Sequence, residues 1–255
     1  AKNSMAVGID LVKNGQADAF VTAGNTGAAL ATAYFRLGTI EGVDLPALAP
    51  VFPTATGSCV VLDIGANPDV KPDNLRQFAI MGSIYAEKVR GIKQPKVGLL
   101  SNGEEEGKGN SLVREATPLL KGAGLNFFGN VEGKEVIGGK VDVAVTDGFT
   151  GNIMLKSSEA VAKLIVDKIK EAIKTGGPLA LLGGILVKPA LGKIKKLLDP
   201  AEEGAAPLLG VNGLVFIGHG RSDAFAIKNA IRVAKNAAEA KVLAAMRDGV
   251  AERLR

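Results

Sequence analysis

Short apolar runs alternate with longer amphipathic stretches along this chain, and most of the runs end on glycine, asparagine or aspartate. The β-branched run Val141, Val143, Val145 stops at Thr146-Asp147-Gly148-Phe149-Thr150-Gly151-Asn152 and leads into helical periodicity over 153–174. Short β-branched runs predict strands. Spacings of three and four predict a helix, here with Leu155, Val161, Leu164, Ile165 and Ile169 as its inner stripe. By the same rules a helix capped by Asn3 or Ser4 runs to 14 and stops at Gly15, a strand covers 17–22, and a helix over 28–37 closes on Gly38. An extended stretch lies at 46–53 and a buried strand at 59–64; Pro72 opens a helix reaching 90. Strands follow at 96–100, 125–128, 141–145 and 211–217. Asn110 or Ser111 caps a helix to 121, and Ser222 or Asp223 caps a terminal helix over 224–247 that Gly249 ends. Strand followed by helix, repeated along the chain, predicts a three-layer α/β/α sandwich with a mainly parallel sheet.

Five of the turns after apolar runs share one chemistry: 23–27, 63–69, 101–110, 146–152 and 218–223 are rich in Gly, Asn, Thr and Asp. In a parallel sheet such turns gather at the carboxyl edge, where open α/β folds bind ligands. A helix N-terminus there offers free N–H groups and a positive dipole end to an anion, although ordinary capped turns look the same one at a time. Lys108 stands between two glycines in the most polar of these loops, so the chain can carry its ammonium over a ligand, while Glu105 reads as a solvated loop tip.

Composition narrows the partners. With 47% hydrophobic residues, 33 glycines and no tryptophan, the core is expected to be Ala, Val, Ile and Leu packed closely on a sheet. The formal charge of +5 permits an acidic partner, an anionic substrate or a membrane surface. No basic stripe interleaved with aromatics and no zinc pattern supports a nucleic-acid role. A single cysteine, Cys59, inside an apolar run excludes a disulfide framework and reads as core, and with one histidine an all-protein transition-metal site is not expected. The 255 residues are read as a single α/β/α unit over 1–255, with a helical hairpin insertion over 175–207. The chain opens at Ala1 on helical sequence, so a preceding segment is expected and no conclusion is drawn about a signal peptide.

One stretch breaks the α/β rhythm. After Gly176-Gly177, residues 178–187 carry no polar side chain, and Lys188, Lys193, Lys195 and Lys196 follow, interleaved with leucine and isoleucine. The run is shorter than the roughly 20 residues that span a bilayer. A protruding hairpin over 178–198 is expected, its apolar tip covered by an anionic membrane surface or by a second subunit; the residues leave both open.

The motifs Ala23-Gly24-Asn25-Thr26-Gly27-Ala28, Leu62-Asp63-Ile64-Gly65-Ala66-Asn67, Lys108-Gly109-Asn110, Phe128-Gly129-Asn130-Val131-Glu132, Thr146 to Asn152 and His219-Gly220-Arg221-Ser222-Asp223, in this order, resemble the PlsX-type phosphate acyltransferases of bacterial phospholipid synthesis. The resemblance covers essentially the whole chain, except that the family's usual opening strand and glycine- and aspartate-containing loop have no counterpart and 176–195 is the least similar part. It implies a fold similar to phosphate acetyltransferases and isocitrate dehydrogenases and a homodimer. It implies an enzyme that converts acyl-[acyl carrier protein] and inorganic phosphate to acyl phosphate. A cytoplasmic location is expected with it, and peripheral contact at the inner face of the membrane through 178–198 is an expectation from the apolar and lysine residues of that stretch, beside the second-subunit reading.

That chemistry suits the residues. Phosphate is the nucleophile, so the protein must hold an anion, aim it at a thioester and stabilise the oxyanion; no Ser or Cys nucleophile and no cofactor is called for. Lys108 and Asn152 are the expected catalytic pair. Gly24, Asn25, Thr26, Gly27, Asn67, Asn102, Asn110, Gly148, Thr150, Gly151 and Ser222 are expected to bind phosphate or the pantetheine arm. Asp63 and Asp147 belong to the same loops as anchors, accepting backbone N–H bonds. His219 fits a general acid for the leaving thiolate, or a structural role beside its glycines. A short-chain, coenzyme A-dependent phosphate acyltransferase and a non-catalytic membrane-associated scaffold are the alternatives. A dehydrogenase is disfavoured, because no strand leads into G-x-G-x-x-G with an acidic residue about 20 positions on.

Overall fold

The computed structural model describes residues 3–254. The elements run α1 Ser4–Lys13, β1 Ala19–Thr22, α2 Thr26–Leu37, β2 Ala47–Leu48, β3 Val51–Thr54, β4 Gly57–Leu62, α3 Pro72–Arg90, β5 Val97–Leu100 and α4 Ser111–Lys121. They continue with β6 Phe127–Val131, α5 Gly133–Gly138, β7 Val143–Val145, α6 Gly148–Thr175, α7 Gly177–Leu197, β8 Ala206–Leu209, β9 Leu214–Ile217, α8 Ala224–Glu239 and α9 Val242–Arg253.

Two sheets, not one, carry the fold: four strands in the order β1-β9-β8-β2 and five in the order β3-β4-β7-β5-β6. The pairs β1–β9, β4–β7, β5–β7 and β5–β6 are parallel; β3–β4, β8–β9 and β2–β8 are antiparallel. The sheets meet where the amide of Ile64 donates to Leu48 O (3.1 Å) and that of Val61 to Pro50 O (3.1 Å). The central helix α3 is buried almost throughout from Asn74 to Ala86, and Phe78, Met81 and Tyr85 join Leu62, Val143, Phe216 and Met246 in the largest core. A second core joins α1 and α2 to the four-stranded sheet through Ile9, Ala29, Ala33, Val215 and Ile217. A third covers the other face of the five-stranded sheet.

The elements depart from the sequence pattern in identifiable places. Asn25 caps α2 so that the helix begins inside the expected loop, and Asp147 likewise starts α6 at Gly148 instead of 153. Strand β6 lies further along than 125–128, and α5 and β8 were not expected. The terminal helix breaks at Lys241, held at φ 52°, and Gly249 sits within α9, packed on Ile84.

The apolar stretch differs most. Residues 178–198 are not a hairpin by themselves: α7 is one 21-residue helix, and its antiparallel arm is α6. With its lysine-bearing end included, α7 is long and apolar enough to cross a membrane, which the 178–187 run alone is not. In α6 only Gly148 and Gly151 are buried, and in α7 no residue is. The pair therefore projects from the body, α6 alone being about 42 Å long at 1.5 Å per residue.

Candidate active site

Parallel pairing sends the loops after β4, β5 and β7 to one edge of the five-stranded sheet, and those after β1 and β9 to one edge of the other. A cavity of about 1980 Å³ lies between the two loop groups; Thr26, Gly65, Asn152, Glu159, His219 and Arg221 line its polar end.

Asp63 organises the β4 side. It is wholly buried, and its carboxylate accepts from the amides of Leu48 (3.0 Å), Ala66 (3.2 Å) and Asn67 (2.6 Å) and from Asn67 Nδ2 (3.0 Å). Burial pushes its carboxyl above the usual carboxylate range, and these donors pull it back. Asp63 thus anchors its loop. Asn67 is equally committed to the loop, since Nδ2 donates to Pro46 O (2.7 Å) as well as to Asp63.

The start of α6 is packed directly on this loop. A Cβ at Gly148 would lie 2.6 Å from Asn67 O and 2.7 Å from Asp63 Oδ2, and one at Gly151 would run into the Asp63 carbonyl oxygen. Glycine at both positions lets helix and loop touch, which sets Asn152 against Gly65. The amides of the first turn are mostly spent. That of Gly148 donates to Asn67 O (2.8 Å), that of Thr150 to Asp147 Oδ1 (2.7 Å) and that of Gly151 to Asp147 O (3.0 Å). Among the described residues only the Phe149 amide of this turn lacks a partner, so the expected cluster of anion-binding amides over 148–151 shrinks to one.

On the other side, Thr22 Oγ1 accepts from the Gly24 amide (3.1 Å), Asn25 Oδ1 caps α2 through the Ala28 amide (2.9 Å), and Gly27 follows within the first turn. The Gly218 amide donates to Thr22 O (2.7 Å), which joins this loop to the β9 loop. There the Ser222 amide donates to His219 O (2.9 Å). His219 Nε2 stands 3.8 Å from Glu159 Oε1, and an Arg221 guanidinium nitrogen stands 4.0 Å from Glu159 Oε2.

Lys108 stands apart. It is on the carboxyl edge next to the β7 loop, but it is exposed and does not line the cavity that Asn152 lines. Its loop is nonetheless built: Asn102 Oδ1 accepts from the Gly109 amide (2.9 Å), Asn110 caps α4 through Val113 (3.0 Å), and Asn130 Nδ2 donates to Glu105 O (3.0 Å) and Lys108 O (3.4 Å). Lys134 (3.2 Å) and Lys140 (3.3 Å) hold Glu104, whose carboxyl lies below the usual range because of those two ammonium groups.

Glu159, Asn130 and Arg221 were not anticipated as site residues. Glu159 is seven positions from Asn152 and so on the same helical face, a signal usable once the helix is known to begin at Gly148. Asn130 carried part of a motif but gave no hint that its amide pins a loop 22 residues earlier. Cys59 is buried, and burial raises its thiol far above the ordinary value, so it is core and not a nucleophile.

Comparison with known proteins bears on the family and the fold. A family profile described as "Fatty acid synthesis protein" matches residues 1–245. The phosphate acyltransferase of Elusimicrobium minutum is 51% identical over 249 residues, 98% of this chain and 73% of that protein. The phosphate acyltransferase of Acidobacterium capsulatum is 52% identical over 240 residues, 94% of this chain and 71% of that protein. Among solved structures, a phosphotransacetylase from Streptococcus pyogenes superposes with a TM-score of 0.59 at 20% identity, over 92% of this chain and 67% of that one. A branched-chain phosphotransacylase from Enterococcus faecalis gives 0.59 at 15%, over 92% and 78%. At these identities the likeness to the solved structures is one of fold.

Proposed function

The chain belongs to the fatty acid synthesis protein family, as a phosphate acyltransferase, and we propose that it moves the acyl group of acyl-[acyl carrier protein] onto inorganic phosphate. Identity of about half along nearly the whole chain carries this reading. A phosphate oxygen attacks the thioester carbon, the C–S bond breaks, and the proton of monohydrogen phosphate ends on the departing sulfur as free thiol. Asn152, Thr26 and the Phe149 amide supply neutral donors to phosphate and the developing oxyanion. Such donors act strongly because they are fixed before charge develops. Arg221 adds positive charge at the cavity mouth, and His219, faced by Glu159, passes the proton to sulfur. Lys108 acts from the adjacent loop on the acyl or phosphate end of a bound substrate. The formal charge of +5 suits an acidic carrier protein.

The projecting hairpin supports an assembly beyond the single chain: a homodimer that rests on the cytoplasmic face of a membrane, where an amphiphilic acyl phosphate is taken up by the next acyl acceptor. The experiment for the chemistry supplies the purified protein with acyl-carrier protein and phosphate and traps acyl phosphate with hydroxylamine. Phosphate-dependent hydroxamate is expected. Hydroxamate formed faster from short acyl-coenzyme A than from the carrier thioester would replace this substrate with the coenzyme A alternative.

A further inference from the structure

The cavity does not end at the polar cluster. From Asn152 it continues beneath the hairpin, along Ala162, Val166, Ile169 and Ile173 of α6 and against Leu181 of α7. Positions 152, 159, 162, 166, 169 and 173 follow one another by three, four or seven residues, so they share one helical face. At 1.5 Å per residue, Ala162 lies about 15 Å and Val166 about 21 Å along the axis from Asn152. The groove residues Ile165 and Ile169 are 53% and 40% exposed, so among the described residues this apolar surface stands largely open. Polar donors stand at one end and the α6 face beyond them is aliphatic, while Lys170, Lys174, Lys188 and Lys193 also line the groove. The polar end and the α6 face match a molecule with a reactive head and a hydrocarbon tail.

We propose that the acyl chain of the thioester lies in this groove, and that Ala162, Val166 and Leu181 determine how long a chain is accepted. The inference rests on the acyl transfer proposed above. The occupant is chosen by continuity: the aliphatic face of α6 opens directly onto the residues proposed to face the thioester carbonyl, and Pro50, Val51, Phe52 and Ile64 of the body line the same cavity, so a tail attached to that carbonyl meets apolar surroundings at once. A second copy of the chain would cover the same surface without needing it to meet the polar cluster.

The test uses two series on the intact protein. In turnover, carrier thioesters from butyryl to palmitoyl are compared by kcat/KM. In binding, butyl to dodecyl phosphates are titrated calorimetrically, with no reaction required. Burial of each methylene is expected to raise both quantities about fourfold until the groove is filled. Ala162→Trp should lower the long-chain to short-chain ratio by at least about fiftyfold. Val166→Trp, deeper by one turn, should move the break to longer chains. If the parent turns over all lengths alike, the groove is not a tail site, although the acyltransferase stands. If alkyl phosphates show the ladder and no thioester is consumed, the groove stands and the proposed reaction falls. If both tryptophan variants lose all lengths equally and also lose self-association by light scattering, the groove is an interface between copies and the inference is overturned.

Discussion

At Asp63 one buried carboxylate holds three backbone amides and a side-chain amide, and through them the loop against which α6 begins. A substituent unable to accept would leave these buried donors unpaired, at roughly 1–3 kcal/mol each. That is structural work, and it differs from the work of the residues at the cavity and the loop edge. Asn152→Ala and Lys108→Ala are expected to lower turnover by about 10²-fold or more, the scale for losing one preorganised donor to developing charge, with melting temperatures near the parent's. Lys108→Arg should rescue only in part, since a planar fork is not a compact ammonium. Glu159→Gln keeps the shape but removes the charge facing His219 and Arg221; a loss of about tenfold in kcat, with KM for phosphate little changed, would mark it as positioning the proton donor. Steady-state kinetics alongside thermal unfolding decides each case, and a near-parent rate removes that residue from the mechanism. The sequence made the glycine-flanked donors legible, because residue types at turns announce themselves. It hid the division of labour: whether an Asn faces a ligand or a backbone carbonyl depends on partners distant in the chain, as Asn67 with Pro46 and Asn130 with Lys108 illustrate.

The elements show the same split between local and distant causes. Caps and breakers act within a few residues, so Asn3, Gly38, Pro72 and Asn110 mark helix ends correctly from sequence. The early start of α6 depends on Asp147 capping a turn whose glycines look like loop, and those glycines are there because Asp63 and Asn67 lie against them. Strand β8 was hidden because its Pro207 falls in a stretch with turn composition, yet the proline pairs antiparallel with Phe216. Two glycines in the α6–α7 pair separate packing from propensity. Gly151→Ala must push α6 off the Asp63 carbonyl and is expected to destabilise by about 1–3 kcal/mol, the usual range for overpacking, and to lower activity by displacing Asn152. Gly183→Ala, with nothing within 4 Å of the new methyl, should instead stabilise α7 by up to about 1 kcal/mol, the helix-propensity gain. Chemical denaturation of both variants checks the pair; equal effects would mean that α6 does not touch the Asp63 loop as closely as the structure has it.

At the scale of the molecule, the body and the hairpin obey different rules. The body buries its apolar residues in three cores, whereas α7 leaves Leu179 at 85%, Ile185 at 68% and Leu186 at 73% exposure. These three, with Leu182, lie off the groove, while Leu181, Gly184 and Lys188 line it, so α7 has an inner face for a ligand and an outer apolar face. A free surface that large is a binding surface. Length and composition alone would let α7 span a bilayer, but its partner in the hairpin argues otherwise. The α6 arm carries the ion pairs Lys163–Asp167 and Lys168–Glu171 along the same depth, and burying those charges in hydrocarbon is expensive. An orientation in the interface, with the outer face of α7 in the acyl region and the exposed lysines that border the groove, Lys188, Lys193, Lys195 and Lys196, reaching anionic headgroups at about 1 kcal/mol each, avoids that cost. The protein is therefore expected to float with anionic vesicles and to stay behind with neutral ones or at high salt. Leu182→Glu and Leu186→Glu should each abolish flotation while phosphate-dependent turnover of a soluble thioester persists, because neither side chain reaches the groove. Loss of self-association in these variants, with a parent that never floats, would assign the outer face to a second copy. Flotation that survives both charges would place the membrane contact on another surface of the molecule.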